Sequence, residues 1–489
     1  KAQIYLKSAF KCEKHDEELI IDYIKCLRQI GIYDLEKTLS MHLLHCYPSQ
    51  KNYEYISKAC SNTEEHELAL KYYKKFLEGK KLTDNQKSRL GCIYYALYKR
   101  YHDPEYADLC FNLYKEVVEN NPTDIIDNKN LYAGAKICKN FKAAMECWKK
   151  IEDTADFDDE DRFSYAACAL RCADFEEYGK YAECRFTKPY DPAYYPKIEH
   201  KPRWTGEENI SDKTILVVSE QGFGDSFLFY GYVLKLAKVA KKVIFAVQRK
   251  IYKLLKNNRY NITIIPNDSD YKTVTFDYHI PAGSIQYTLK LNKETMPVAV
   301  GYIQANKKLA AIYKEKYFNT DKLKVGVAMS GSDAGEKNRD IPYKTLKILN
   351  KIKNAKFFCL TTDVQDKDLK KIFGRNFVNI AREFDTFTET AAAIENCDVI
   401  ISGDNCILNL AGAMGKKVYG AFTYHYALRW YDLSGETSGY FKTVKPFVND
   451  AYDRWDVTIK KIVDVPNIKN GKTIIASLTK GFVPTPNGP

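Results

Sequence analysis

Three stretches of the chain set glycines and polar side chains at the ends of apolar runs, the places where an α/β sheet binds its ligands. The first, "SEQGFGDSFLFYGYV" (Ser219 to Val233), follows the strand-like "TILVVS". Gly222 and Gly224 let the backbone turn tightly and start the next helix close to a ligand. Asp225 then falls at that helix N-terminus, where a carboxylate is stabilised. Such a residue acts on a ligand or merely caps the helix, and the stretch alone leaves both open. The second, "MSGSDAGEKNRD", follows another strand. Ser330, Gly331 and Ser332 offer hydroxyls and backbone N–H groups to phosphate oxygens, and Lys337 and Arg339 supply positive charge; a basic surface loop is the plainer alternative. The third, "SGDNCILNLAGAMGK", puts Asp404 at the end of a buried strand and opens a helix of small residues. Its N-terminus is a ready anion site, and Asn405 and Asn409 stand there as hydrogen-bond donors.

Weaker signals surround these. His279 in "DYHIP" sits at a strand end, where contact with a ligand and a structural bond are equally open. Arg429 and Trp430 in "HYALRWYD" form a pair in which Trp430 also reads as core. "NDSD" (Asn267 to Asp270) imitates an Asp-x-Asp metal motif but lies in a plain polar turn, so no metal is assigned to it. Cys168 and Cys172 are four apart on one helix face without the further His or Cys ligands that a metal site needs.

The elements that must carry these residues divide the chain in two. Residues 1–186 read as successive pairs of amphipathic helices. "HELALKYYKKFLE", "EYADLCFNLYKEVVENNP" and "KAAMECWKKIED" share a frame of a small residue followed four positions later by an aromatic: Ala69/Tyr73, Ala107/Phe111 and Ala144/Trp148. Helical repeats of tetratricopeptide type use that frame, the small residue allowing close approach and the aromatic filling the groove. "CADFEEYGKYAECRF" reads as a degenerate last unit. Residues 187–204, rich in proline, form a linker. Two series of alternating strands and helices follow, over 205–319 and 320–489, the second with a C-terminal extension. They predict two doubly wound, Rossmann-like domains, with "YIQANKKLAAIYKEKYFNTDK" (Tyr302 to Lys322) as the hinge.

Composition narrows the partners. At 489 residues, 45% hydrophobic and 28% charged, the chain has the profile of a globular protein of several domains. No apolar run reaches the ~20 residues that cross a bilayer. Residues 1–200 hold 31 basic and 34 acidic side chains, whereas 201–489 hold 44 and 29. The positive excess of the second part suits an anionic small molecule, and without a basic arm or a nucleic-acid motif no nucleic acid is expected. Eleven of the fourteen cysteines fall between Cys12 and Cys184 among helical patterns, with no C-x-x-C pair. They read as reduced, buried thiols, and with no signal peptide recognised the expected location is the cytoplasm.

In order along the chain, "SEQGFGDSFLFYGYVLKL", "FDYHIPAGSIQYTL", "VGVAMSGSDAGEKNRDIP" and "CDVIISGDNCILNLAGAMGKKVYGAF" resemble bacterial tetratricopeptide-repeat glycosyltransferases. The catalytic half of those enzymes is related to the lipopolysaccharide heptosyltransferases, and the resemblance covers Thr214 to Trp455, about half the chain. It implies the GT-B fold, transfer of a sugar from a nucleotide-diphosphate donor with inversion, and no metal or other cofactor. By that resemblance Asp225 is the general base that deprotonates the acceptor. Gly222, Gly224 and His279 then lie beside the acceptor or the sugar. Ser330, Gly331, Ser332, Lys337, Arg339, Asp404, Asn405, Asn409 and Trp430 hold the donor. One departure stands out: where the relatives show Asp-Thr-x-x-x-His, this chain has Asp404, Asn405 and, at the histidine's place, Asn409. The expectation is a glycosyltransferase acting on a protein, such as flagellin or another surface protein, recruited by the helical repeats. The alternatives are a lipid-linked or polysaccharide acceptor, or a scaffold whose transferase half is inactive.

Overall fold

A computed structural model of the chain describes residues 7, 16–153, 157–186, 198–256, 260–296, 301–330, 339–362, 364, 366–424, 426, 430, 431, 433 and 435–471. The chain divides into two compact units, 1–155 and 156–489.

The first unit is built of helical pairs: α1 (Glu17–Gln29) with α2 (Tyr33–Cys46), α3 (Asn52–Asn62) with α4 (His66–Leu77), α5 (Asp84–Tyr101) with α6 (Pro104–Asn120), and α7 (Ile125–Ile137) with α8 (Phe141–Ile151). Short polar side chains start most of them. Asp16, Asp103, Asp124 and Asn140 each accept a backbone N–H of the first turn, and Thr83 forms a reciprocal capping box with Gln86. Ala69, Ala107 and Ala144 are buried on the second helix of their pairs, and so are Tyr73 and Trp148. Phe111 departs from the frame: it is only half-buried, and Tyr114 fills the groove instead. Gly91 on α5 and Gly134 on α7 make room for that ring, since a Cβ on either would come within 2.6 and 3.1 Å of it. The thirteen described cysteines are free thiols.

The second unit opens with one more helical pair, α9 (Asp159–Arg171) and α10 (Phe175–Ala182). Composition groups this pair with the repeats, but it packs with the sheets: Leu170 and Phe175 share the core of the first sheet's helices. That sheet holds β1 (Thr214–Val218), β2 (Lys242–Val247), β3 (Ile262–Pro266) and β4 (Tyr278–Pro281) in the order β3-β2-β1-β4. The second sheet holds β5 (Leu323–Ala328), β6 (Ala355–Cys359), β7 (Phe377–Asn379), β8 (Val399–Gly403), β9 (Val418–Phe422) and β10 (Val444–Val448) in the order β10-β9-β8-β5-β6-β7. Every pairing is parallel. The strands read as largely apolar runs, most so where both faces are covered, which makes nine of them legible in the sequence. The tenth, "VKPFV", was not: as an edge strand it tolerates Lys445 and Pro446.

Helix α11 (Phe223–Leu236) connects β1 to β2, and α16 (Cys406–Ala413) connects β8 to β9, with α12 (Arg249–Lys256), α13 (Lys307–Tyr317), α14 (Asp366–Phe373) and α15 (Phe387–Asn396) between them in sequence. A helix that faces water on one side carries an apolar stripe, whereas α11 is apolar nearly all round and buried on all sides. One face lies on Ile215 and Val217 of the first sheet, and another meets α16 of the second, so a single apolar core runs through both sheets' helices. Phe223 and Phe227 also set their rings against Phe387 at 5.1 and 5.0 Å. The expected hinge is docked as well. Tyr302 donates its hydroxyl hydrogen to the Phe227 carbonyl at 2.9 Å, and the Ile303 N–H donates to the Ala413 carbonyl at 3.2 Å.

Candidate active site

The first of the three stretches is a strand-to-helix turn of unusual tightness. The Ser219 N–H extends the sheet by donating to the Ala246 carbonyl at 2.9 Å. Gln221 then adopts φ +63°, a left-handed conformation that non-glycine residues rarely take and that clusters at functional sites. The Gln248 amide holds it, donating to the Gln221 carbonyl at 3.3 Å and accepting from the Ser226 hydroxyl at 2.8 Å. Gly222 is the N-cap of α11, and Asp225 is the third helical residue. Its Oδ2 accepts the Gly222 N–H at 3.1 Å, and the side chain is buried. Asp225 therefore caps its helix, accepting the N-cap N–H from the third helical position.

Gly224 is required by what faces it. A Cβ there would stand 2.7 Å from the Asn409 Nδ2 and 3.3 Å from the Cys406 Cα. The N-terminal turns of α11 and α16 thus touch, and two helix dipoles present positive ends to one region. The Cys406 thiol is pushed up to about 11, chiefly by burial and further by the Asp225 carboxylate nearby. Gly224, the residue before Asp225, thus lies against the α16 terminus of the second domain.

On the second domain the donors and acceptors divide the work. Asn405 is the N-cap of α16, its Oδ1 accepting from Ile407 at 2.9 Å and Leu408 at 3.3 Å. Its amide donates to the Ser330 carbonyl at 3.2 Å and the Ala328 carbonyl at 3.4 Å, which pins the end of β5 to α16. Trp430 is fully buried against Phe422, Tyr440 and Phe441, and its indole N–H donates to Asp404 Oδ1 at 2.9 Å. That tryptophan is core, and it also orients Asp404. Among the described residues, Asp404 Oδ2 is buried with no protein partner, as is Asn409 Oδ1, whose amide donates to the Asn405 carbonyl at 3.2 Å. Buried acceptors without partners are costly, and a hydrogen-bond donor would satisfy both. A ligand hydroxyl fits them; a phosphate oxygen, itself an acceptor, does not. Arg339 lies alongside, its carbonyl within 3.3 Å of where a Gly403 Cβ would be. Gly331, Ser332, Lys337 and Arg429 lie outside the described residues.

His279 stands apart from this group. It pairs in register with Leu216, whose side chain packs with Ile198, Ile244 and Phe276 on the face of the sheet away from α11. Its backbone bonds Pro202 and Trp204, anchoring the segment before β1. Burial, with the Arg203 cation adding to it, pushes the imidazole down to about 4. Because the unfolded ring binds a proton near its ordinary value of about 6.5 and the folded one resists it, stability is full above that pH and is lost as pH falls toward 4. We expect the melting temperature to decline over that window and His279→Gln to flatten the decline, both read by calorimetry.

One residue of the turn carried no signal in the sequence: Glu220. It is fully buried at the mouth of β1, and its partner lies thirty-five positions upstream. No periodicity or motif spacing connects the two.

The order of parts, helical pairs followed by two Rossmann-like domains, is the one the motif resemblance implies. No family model matches the chain. Protein FlbA of Caulobacter vibrioides (strain ATCC 19089 / CIP 103742 / CB 15) is 20% identical over 314 residues, 56% of this chain and 50% of FlbA, so the chain spans about half of that curated relative. Among solved structures, a glycosyl transferase family 9 protein from Veillonella parvula DSM 2008 is 10% identical, covering 55% of this chain and 95% of that one at TM-score 0.40. YrrB, described as a TPR protein with an unusual peptide-binding site, is 12% identical over 38% of this chain and 93% of its own at TM-score 0.31.

Proposed function

We propose that the chain is a glycosyltransferase of GT-B type that moves a sugar from a nucleotide diphosphate to an acceptor hydroxyl. The observation that supports this reading is the meeting of α11 and α16, where Gly224, the residue before Asp225, lies against Cys406 and Asn409, and where Asp404 Oδ2 and Asn409 Oδ1 are buried without a partner among the described residues. Asp225 takes the proton of the acceptor hydroxyl as its oxygen attacks the anomeric carbon. The bond from that carbon to the diphosphate breaks on the opposite side, giving inversion. Asp404 Oδ2 and Asn409 Oδ1 accept sugar hydroxyls. The α16 N-terminus, Arg339 and, by the motif, Lys337 with the Ser330–Ser332 loop stabilise the departing negative charge, which makes a metal unnecessary. Asn409 keeps a neutral hydrogen-bonding group where the relatives carry histidine. The acceptor in this reading is a protein, flagellin or another surface protein, engaged in the cytoplasm by the helical repeats, whose stacked pairs offer an extended binding surface.

The competing reading is a scaffold with an inactive transferase half. A thermal-shift panel of nucleoside diphosphates and their sugars separates them. A ligand at a hundred times its Kd stabilises by about 2.7 kcal/mol, which shows as a clear rise in melting temperature for at least one nucleotide. No response to any nucleotide favours the scaffold.

A further inference from the structure

We infer that Arg185, in the turn that ends the last helical pair, is a positioning residue for the Asp225 turn; this rests on the glycosyl-transfer reading above. Arg185 lies in the short helical turn Glu183–Phe186 after α10, and its side chain is 4% exposed. Every N–H of its guanidinium is used. Nε donates to Glu220 Oε2 at 3.0 Å, and Nη2 donates to Glu220 Oε1 at 3.0 Å and to the Ser284 hydroxyl at 2.7 Å. Nη1 donates to the Ala182 carbonyl at 2.7 Å and to Glu183 Oε1 at 2.9 Å. The fork-on-fork pairing with Glu220 fixes direction as well as distance, which a lysine cannot do.

Glu220 is locked from the other side too. Its Oε1 accepts the Gly283 N–H at 2.7 Å, and a Cβ on Gly283 would come within 2.6 Å of that oxygen. Glu183 and Arg203 complete the cluster: Arg203 bonds both Glu183 and the Ser284 hydroxyl. Burial alone would push Glu183 up, but Arg185 and Arg203 hold it below its ordinary value. Two arginines thus face two glutamates. Within it the Arg185–Glu220 pair is sealed from solvent, with side chains 4% and 0% exposed, so the work of that pair is internal.

Its location says what that work is. Glu220 immediately precedes Gln221, the left-handed residue of the turn, and Gly222 follows, whose N–H bonds Asp225. The path from Arg185 to Glu220 to Gly222 to Asp225 is short and fixed at each step. Replacing a buried ion pair by apolar residues is often neutral for stability, so such a pair is weak evidence for a stabilising role. Holding the turn in its uncommon conformation is the role its position fits.

The test uses the full chain with Arg185→Lys, and with the paired Arg185→Met/Glu220→Leu variant, which removes both charges and leaves none uncompensated. Release of nucleoside diphosphate gives kcat and donor KM, and hydrogen exchange follows the 219–226 backbone against β2 as an internal reference. In both variants kcat falls at least tenfold with donor KM within about twofold, and exchange at 219–226 speeds up while β2 stays as it was. A merely stabilising cluster predicts that the paired variant regains wild-type turnover and exchange, and that result overturns the inference. Exchange at the turn is read whether or not the protein transfers sugar. Wild type inactive with every donor therefore refutes the glycosyl-transfer reading alone, while unchanged exchange in both variants refutes the role of Arg185.

Discussion

Asp225→Asn is expected to cut single-turnover transfer by about 10²–10⁴-fold, the range a general base contributes, and to leave donor affinity unchanged. The carboxylate oxygen that accepts the Gly222 N–H has a counterpart in the asparagine amide, and the two residues cap helices equally well. Size and helix geometry are therefore kept, and only proton acceptance is lost. Donor affinity stays because the groups assigned to the donor, Asp404, Asn409, Arg339 and the α16 terminus, belong to the other domain. A purely capping Asp225 would give an Asn variant with near wild-type turnover, measured at saturating donor.

The second large effect concerns where the chain can be cut. A fragment of residues 156–489 is expected to fold and melt cooperatively, and one of residues 187–489 is not. The longer fragment keeps α9 and α10, with Leu170 and Phe175 in the core, Arg185 on Glu220, and the Arg171 guanidinium donating to the Tyr426 carbonyl at 2.8 Å. It also keeps Gly179, whose missing Cβ leaves space for the Tyr287 ring. Cutting at 187 removes the guanidinium that pairs with Glu220 and uncovers that end of the turn. Losing Leu170 and Phe175 removes about 1.5–3 kcal/mol each. Together these approach the whole stability of a domain, about 5–15 kcal/mol. Circular dichroism melts of the two fragments decide: matching cooperative transitions would show that α9 and α10 are dispensable to the fold.

What was legible in the sequence follows from the range of each interaction. The parallel strands announce themselves because burial leaves mostly apolar residues in them, and the turns at Gly222 and Asn405 because a strand end, a cap and small residues sit side by side. The ion pair of Arg185 with Glu220 was invisible, because pairing across thirty-five residues imposes no period on the chain. The same holds for Tyr114, which fills a groove between Gly91 and Gly134 that only the packed helices reveal. His279 shows the converse. A histidine at a strand end looks available from the sequence, but its strand parity, set by pairing with Leu216, turns it to the face away from α11. The packing of α11 against α16 was also hidden. Two apolar helices in separate βα series each look like the cover of their own sheet, and only Gly224 opposite Asn409 shows that they cover one another.

The central claim is that a nucleotide sugar reacts where α11 meets α16. Release of nucleoside diphosphate from a radiolabelled nucleotide sugar, with the purified full chain in the presence of a chelator, tests it most directly. The account predicts one nucleoside diphosphate per sugar transferred, undiminished by the chelator and lost in Asp225→Asn. Absence of release with every nucleotide sugar and acceptor, or release that persists at full rate in Asp225→Asn, would contradict it.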